Sequence, residues 1–139
     1  MIILDTNVVS EVLRPIASTS VLTWLGAQQT EDVFTTTITF AESLFGFERM
    51  PSGKRRTELS ASIERIFEQA FPARILPFDE EAARAFAKIS AARHSAGRPI
   101  SQADAMIAAI AHSHHATLAT RNTKDFEACG IHLVNPWTA

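Results

Sequence analysis

Apolar and polar residues alternate along this chain in blocks that predict strands and helices in turn. Residues 1–4 form a continuous apolar run that ends at Asp5, a pattern typical of a strand buried on both faces. Further short runs, rich in apolar and β-branched residues, predict strands over 32–36, 73–78, 117–120 and 131–134. Five strands are therefore expected, separated by longer stretches with a different period.

The stretches between the strands carry apolar residues at the spacing of α-helices. The clearest is 59–70, where Leu59, Ile63, Phe67 and Ala70 recur at intervals of three or four residues. Other helices are predicted over 8–13 and 20–29, from 39 to the break at Met50-Pro51, from 79 to 97, and from 101 to 112. The last of these is alanine-rich and apolar almost all round, so we expect it to pack centrally.

Strands that alternate with helices predict a parallel sheet covered by helices on both faces. We therefore predict an α/β fold, a three-layer α/β/α sandwich with a central, mainly parallel sheet, and one domain over residues 1–139. A hydrophobic content of 46% is sufficient for a buried core and excludes an intrinsically disordered chain. A single cysteine, Cys129, excludes a disulfide framework.

Charge and hydropathy narrow the class of protein further. The net charge of -2 excludes a polycation, so any contact with nucleic acid is expected to be local. The chain opens without a basic leader and has no apolar run of the roughly 20 residues that a membrane-spanning helix needs. We expect a soluble, cytoplasmic protein that makes no membrane contact.

Four acidic residues fall at the predicted carboxyl ends of strands or on helix starts next to them, and these ends are where open parallel sheets bind ligands. Asp5 ends the first strand, and Glu42 lies in the predicted first turn of the helix after the second strand. Asp104 lies in the first turn of the alanine-rich helix, and Asp125 follows the fourth strand. A carboxylate such as Asp5, at the end of an apolar central strand, needs a partner or a metal ion.

Taken singly, Glu42 and Asp104 also fit a structural interpretation, because residues 39–42 and 101–104 both match the capping-box pattern. Taken together, converging carboxylates repel one another and raise their own pKa values unless a cation compensates. Oxygen ligands without cysteine favour Mg²⁺ or Mn²⁺ over Zn²⁺. Such a centre activates water and neutralises charge on a phosphodiester, so the pattern indicates a metal-dependent nuclease.

Six segments spread over nearly the whole chain carry a more specific signal. They are ILDTNVVSE at 3–11, TFAE at 39–42, RILPFD at 74–79, ADAMIAA at 103–109, TRNTKDF at 120–126 and NPW at 135–137. In this order they resemble the PIN-domain ribonucleases, and among these the VapC/FitB-like toxins of bacterial type II toxin–antitoxin modules. The closing NPW resembles the FitB-like branch.

The resemblance implies that Asp5, Glu42 and Asp104 are catalytic and hold a divalent ion, Mg²⁺ or Mn²⁺. It leaves two alternatives for Asp125, which either completes the catalytic site or caps a final helix. Some FitB-like members carry an acid where Asn122 stands, while many VapC members have asparagine there, as here. Residues expected to support the ligands or to contact substrate are Thr6, Asn7, Ser101, Arg121 and Asn122.

The function implied by the resemblance is a divalent-metal-dependent endoribonuclease toxin that hydrolyses RNA and is inhibited by a cognate antitoxin. The alternative is a catalytically weak subunit of a complex that binds promoter DNA through its antitoxin. An aspartyl-phosphate enzyme is less well supported, because Asp5-Thr6-Asn7 lacks a second acid. Expected partners are RNA, a small VapB/FitA-like antitoxin whose tail covers the acids, and a second copy of this chain in a homodimer or larger toxin–antitoxin assembly.

Other reactive side chains have a structural interpretation. His112, His114 and His115 cluster at a helix end without a matching ligand set, and we interpret them as solvated. Trp24 and Trp137 are interpreted as packing or interface residues rather than as platforms for base stacking.

Overall fold

A parallel five-stranded sheet forms the centre of the molecule in the computed structural model, which describes all 139 residues. Its strands are β1 (Ile2–Leu4), β2 (Val33–Thr36), β3 (Ile75–Leu76), β4 (Thr117–Ala119) and β5 (His132–Val134), in the spatial order β3-β2-β1-β4-β5. Every neighbouring pair is parallel. The predicted sheet is confirmed, although β3 is much shorter than 73–78. Ala73 has a left-handed backbone (φ 58°) and Pro77 has no N–H to donate, which confines β3 to the residues between them.

Six α-helices connect and cover the strands, as predicted. They are α1 (Thr6–Val12), α2 (Thr19–Gly26), α3 (Thr37–Glu48), α4 (Lys54–Ala70), α5 (Glu80–Ser95) and α6 (Gln102–Ser113). Short 3₁₀ turns occupy Thr30–Asp32 and Thr123–Phe126. None of the helices is long and apolar enough to cross a membrane.

Two helices begin two residues earlier than the apolar spacing predicts, and both corrections concern residues near the acids. α1 begins at Thr6 rather than at Val8, because the Asp5 carboxylate caps it by accepting from the Val8 N–H at 3.0 Å. α3 begins at Thr37 rather than at Thr39, because the Thr36 hydroxyl accepts from the Thr39 N–H at 3.1 Å. The spacing of apolar residues indicates which face of a helix is buried, whereas the N-cap hydrogen bond decides at which residue the helix starts.

The core lies in two layers, one on each face of the sheet. Ile3 packs into the layer formed with α5 and α6, and Leu4 packs into the layer formed with α1 and α4. Successive residues of β1 therefore serve opposite layers, which confirms a strand buried on both faces and a three-layer sandwich. The predicted central packing of α6 is also confirmed, and its buried residues are Ala105, Ile107, Ala108, Ala109, Ile110 and Ala111.

The strand order places a crevice at one edge of the sheet. From the central β1, the chain adds β2 and β3 on one side and later β4 and β5 on the other. The connections therefore diverge at the carboxyl ends of β1 and β4, a switch point where open parallel sheets form ligand sites. Asp5 and Thr120 follow directly on these two strands.

Candidate active site

Asp5 is the most deeply buried acid of the chain, with 4% of its surface exposed. Its N–H continues the sheet by donating to the Ala119 carbonyl at 3.0 Å, and its carboxylate accepts from Val8 and from the Thr120 hydroxyl. No basic side chain pairs with it. Burial raises the pKa of Asp5 from its ordinary value of 3.8 to about 6, against the lowering effect of the Thr120 and Val8 hydrogen bonds. A negative charge on Asp5 therefore receives hydrogen bonds but no counter-charge from the protein.

Asp104 is the electrostatic centre of the acidic group. It is the third residue of α6, where its N–H donates to the hydroxyl of the N-cap Ser101 at 3.2 Å, as expected for a capping pattern. Burial raises the pKa of Asp104, a hydrogen bond from Ser101 lowers it, and the negative charges of Asp125 and Glu42 raise it further. The neighbouring charge of Arg93 lowers it. Asp104 thus connects acids that are far apart in sequence.

Glu42 reaches the group by a different route from the one its sequence pattern predicts. Because α3 begins at Thr37, Glu42 lies in the second turn and is not part of a capping box with Thr39. Instead, Glu42 Oε1 accepts from the Thr6 hydroxyl at 2.5 Å, and Thr6 Oγ1 lies 3.2 Å from the hydroxyl of the buried Thr39. A contact between α1 and α3 therefore holds Glu42 on the side of Asp5.

Asp125 lies within the 3₁₀ turn Thr123–Phe126, and no α-helix follows it. The alternative in which it caps a final helix is therefore wrong, because the short turn has Asn122 as its N-cap. The side chain is exposed, and its charge acts on Asp104. The structure brings Asp125 to the acidic group without burying it.

A buried arginine next to this group was not anticipated from the sequence. Arg93 of α5 is only 5% exposed, and its Nη1 donates to the carbonyls of Asp125 at 2.8 Å and of Glu127 at 3.0 Å. Its Nε donates to the Arg98 carbonyl at 2.6 Å. Arg93 therefore fastens the segment that carries Asp125 to α5, and its charge favours the ionised form of Asp104.

A sequence signal for Arg93 exists but is weak. Ala82, Ile89 and Arg93 lie on the buried face of α5, with Arg93 four residues after Ile89, so the helical period predicts a buried position. Arginine at such a position is usually assigned to solvent, because a fully buried arginine is rare. The buried Thr120, which bonds to Asp5, has no sequence signal for a role in the site, because it is the last residue of the predicted strand 117–120.

Of the remaining predicted residues, one bonds to an acid of the group and two lie exposed beside it. The Asn7 N–H forms a hydrogen bond to Asp5 and lowers the pKa of that carboxyl. Asn122 is exposed and donates its N–H to the Thr120 hydroxyl at 3.1 Å. Arg121 is exposed and its guanidinium lies over the Trp137 ring, 5.0 Å from the ring centroid. Of these three residues, Asn7 alone contacts an acid of the group.

The donor set fits a hard divalent cation by its chemistry. Four carboxylates act on one another across the sheet edge, and Asp5 is buried without a counter-charge. A cation would relieve both the repulsion and the burial of charge, and carboxylate oxygens are the ligands that Mg²⁺ and Mn²⁺ prefer. As the side chains stand, however, no group of three or more His, Cys, Asp or Glu is arranged so that it could hold a metal ion. The acids therefore form a charged cluster rather than a closed ligand set.

Comparisons of the sequence and of the structure with known proteins all point to one family. The sequence model of the PIN domain matches residues 2–130. The VapC ribonuclease Y4jK of Sinorhizobium fredii is 43% identical over 137 residues, covering 99% of this chain and 98% of that protein. Toxin FitB of Neisseria gonorrhoeae is 42% identical over 137 residues, covering 99% of both chains. The structure of FitAB bound to an IR36 DNA fragment superposes with a TM-score of 0.88 at 42% identity, covering 99% of this chain and 96% of that one.

Proposed function

This chain belongs to the PIN-domain family, in the branch that contains VapC ribonucleases and the FitB toxin, and we propose that it is a divalent-metal-dependent endoribonuclease toxin. The observation that supports the proposal is the convergence of Asp5, Glu42, Asp104 and Asp125 at the switch point of the sheet. A cluster of this kind destabilises the protein by self-repulsion unless it serves a cation. Its position at the ligand-binding edge of the fold favours a catalytic use.

In this proposal Asp5, Glu42 and Asp104 hold the ion, Mg²⁺ or Mn²⁺. A bound ion would supply Lewis acidity for the activation of water and positive charge beside the scissile phosphate. Thr6 keeps Glu42 on the side of Asp5 through the 2.5 Å hydrogen bond, and Ser101 fixes the backbone of Asp104 at the start of α6. These hydroxyls orient the carboxylates before any ligand arrives.

Asp125 is proposed to complete the catalytic site as a proton acceptor at its solvent side. Its side chain is exposed, so both solvent and an incoming substrate can reach its carboxylate. Arg93 restrains this part of the chain by binding the Asp125 carbonyl at 2.8 Å. The exposed side chains of Asn122 and Arg121 flank it and are proposed to contact the phosphate or its neighbours.

The proposed partners follow from the same charges. An antitoxin tail that covers four carboxylates is expected to present basic side chains to them, and we propose a small VapB/FitA-like protein in this role. The similar FitAB structure contains a DNA fragment, so we propose that promoter DNA is bound through the antitoxin, with this chain as a homodimer or within a larger assembly. The near-neutral charge of the chain agrees with a partner that supplies the DNA contacts.

Sequencing of RNA 5′ ends tests the proposal. Total RNA is treated with the antitoxin-free protein, with and without Mn²⁺, and new 5′ ends are expected only when the ion is present. Asp104→Asn should abolish them. Asp79→Asn is the matched control, because Asp79 caps α5 through the Ala82 N–H at 3.0 Å and is exposed outside the acidic group. Identical profiles with and without Mn²⁺ would refute the catalytic proposal and leave the DNA-binding complex as the function.

A further inference from the structure

A polar trough adjoins the acidic group on the side of α1. Its volume is about 320 Å³, and it is lined by Asn7, Ser10, Glu11, Arg14, Arg121 and Trp137. The trough is next to the acids, because its lining residue Asn7 donates its backbone N–H to Asp5. A second polar cavity of about 310 Å³, lined by residues 121–125, continues from Arg121 to Asp125. Arg121 therefore borders both cavities, and Asp125 also lines the second.

Two arginines line the trough, and only Arg121 lacks a carboxylate partner. Glu11 is 8% exposed, and its carboxylate accepts from the Ser18 N–H at 3.1 Å. The Arg14 guanidinium lies 3.6 Å from that carboxylate, so the two charges compensate each other. Arg121 has no carboxylate within ion-pair distance, although four acids lie at the same edge of the sheet. Its charge remains available to a ligand.

Trp137 holds Arg121 in this position. The indole is half-buried against the core layer of α1 and α4, and the Arg121 guanidinium lies 5.0 Å from the ring centroid. The Asn135 side chain links the turn that carries the tryptophan to the backbone of Arg121. Its Oδ1 accepts from the Trp137 N–H at 2.9 Å, and its Nδ2 donates to the Arg121 carbonyl at 3.5 Å. The guanidinium lies over the indole, the residue is exposed, and its side chain makes no hydrogen bond within the protein.

We propose that Arg121, positioned by Trp137, binds the phosphate backbone of single-stranded RNA next to the scissile bond, and that the trough is the path of this flanking strand. The inference rests on the proposed ribonuclease function. A planar guanidinium without a partner, fixed beside a site that acts on phosphodiesters, matches a phosphate group in charge and geometry. It also counters the repulsion that the four carboxylates exert on a polyanion. Arg121 is thus a binding residue, and Trp137 is its positioning residue.

Fluorescence anisotropy with a short, labelled, mixed-sequence single-stranded RNA tests the inference over a series of salt concentrations. All proteins carry Asp104→Asn, which prevents cleavage during the measurement. Arg121→Ala should weaken binding roughly 10-fold or more, the effect of a lost charge-assisted hydrogen bond. It should also reduce the slope of log K against log salt by about 0.7, the value for one phosphate contact on a single strand.

Tryptophan variants separate positioning from charge. Trp137→Leu should weaken binding roughly 2- to 5-fold at every salt concentration with an unchanged slope, because the cation is retained but no longer held by the ring. Trp137→Phe should restore most of the affinity, because it keeps an aromatic face. The matched control is Arg65→Ala, which removes an exposed arginine of α4 that lines neither cavity and should leave both affinity and slope close to those of the parent.

Three results would overturn the inference. They are unchanged RNA binding by Arg121→Ala, an equal loss for Arg65→Ala, and a Trp137→Phe variant as weak as Trp137→Leu. If Arg121→Ala binds RNA normally but no longer binds the antitoxin, the trough is a protein interface instead. The proposed function is judged separately by Mn²⁺-dependent cleavage with the wild type. A wild type that cleaves, combined with normal RNA binding by Arg121→Ala, refutes this inference alone.

Discussion

Replacement of Asp5 by asparagine should stabilise the metal-free protein at neutral pH while removing a proposed metal ligand. Asp5 is buried, has no cationic partner, and has a pKa raised by burial from 3.8 to about 6. In the unfolded chain the carboxyl ionises near pH 4, whereas in the folded protein it keeps its proton up to about pH 6. The folded state therefore binds the extra proton between these values, and stability falls as pH rises through that range.

The magnitude follows from the size of the shift. A difference of about two pKa units corresponds to roughly 3 kcal/mol of destabilisation, fully expressed above about pH 7. Asparagine carries no charge, and it can still cap α1 through the Val8 N–H. Because the Thr120 hydroxyl must turn to accept from the new amide, we expect a net gain of roughly 1–3 kcal/mol. That gain corresponds to a rise in Tm of roughly 4–12 °C for a domain of this size.

Urea denaturation in EDTA at pH 4 and at pH 8, followed by tryptophan fluorescence, measures this effect. The wild type should lose stability between the two pH values more steeply than Asp5→Asn, and the variant should be the more stable protein at pH 8. Asp79→Asn makes the same chemical change at the exposed cap of α5 and should change stability by less than about 0.5 kcal/mol. An Asp5→Asn protein that is less stable than the wild type at pH 8 in EDTA would show that Asp5 is compensated within the fold.

Three further predictions concern the acids and their supports. Asp104→Asn should abolish Mn²⁺-dependent RNA cleavage and leave the fold intact by circular dichroism; full activity in a folded variant would contradict the assignment. Thr6→Val removes the 2.5 Å hydrogen bond to Glu42 and should lower kcat/KM roughly 10- to 100-fold, while Thr6→Ser retains most activity; equal rates for both variants would remove Thr6 from the site. Arg93→Met removes three hydrogen bonds from a buried guanidinium to backbone carbonyls and should lower the free energy of unfolding by roughly 3 kcal/mol or more in urea titrations. Arg84→Met, which removes only exposed ion pairs within α5, should change it by less than about 1 kcal/mol, and similar losses for the two would argue against a fastening role for Arg93.

The two capping patterns show how far local sequence reasoning extends into the site. Ser101 and Asp104 match a capping pattern and form its serine-to-backbone hydrogen bond, because nothing before Ser101 competes for the start of α6. Residues 39–42 match the same pattern but lie inside a helix. Thr35, Thr36 and Thr37 lie just before them. Thr36, which still has the extended backbone of β2, is the N-cap, so the helix has already begun before Thr39. A pattern of four residues cannot encode where the preceding strand ends.

The acids themselves were predictable because their positions depend on element order. A parallel sheet brings the carboxyl ends of its strands to one edge, so residues that directly follow strands or open the next helix must meet there. Asp5 directly follows β1 and Asp104 lies in the first turn of α6, so both satisfy this condition from sequence alone, while Asp125 lies a few residues beyond β4. Glu42 satisfies it only through its contact with Thr6, 36 positions earlier in the chain.

By itself, the sequence determined the alternation of strands and helices, the burial of β1 on both faces and the edge at which the acids gather. These features depend on the period of apolar residues and on the order of elements along the chain, and both are visible in the sequence. The tertiary structure alone decided that Thr6 holds Glu42, that Arg93 is buried against the carbonyls of the segment carrying Asp125, and that Arg121 lies on Trp137. Periodicity says which face of an element is buried. Which side chains meet across that face depends on how the elements pack, and this packing arranges the acids and their neighbours into a site.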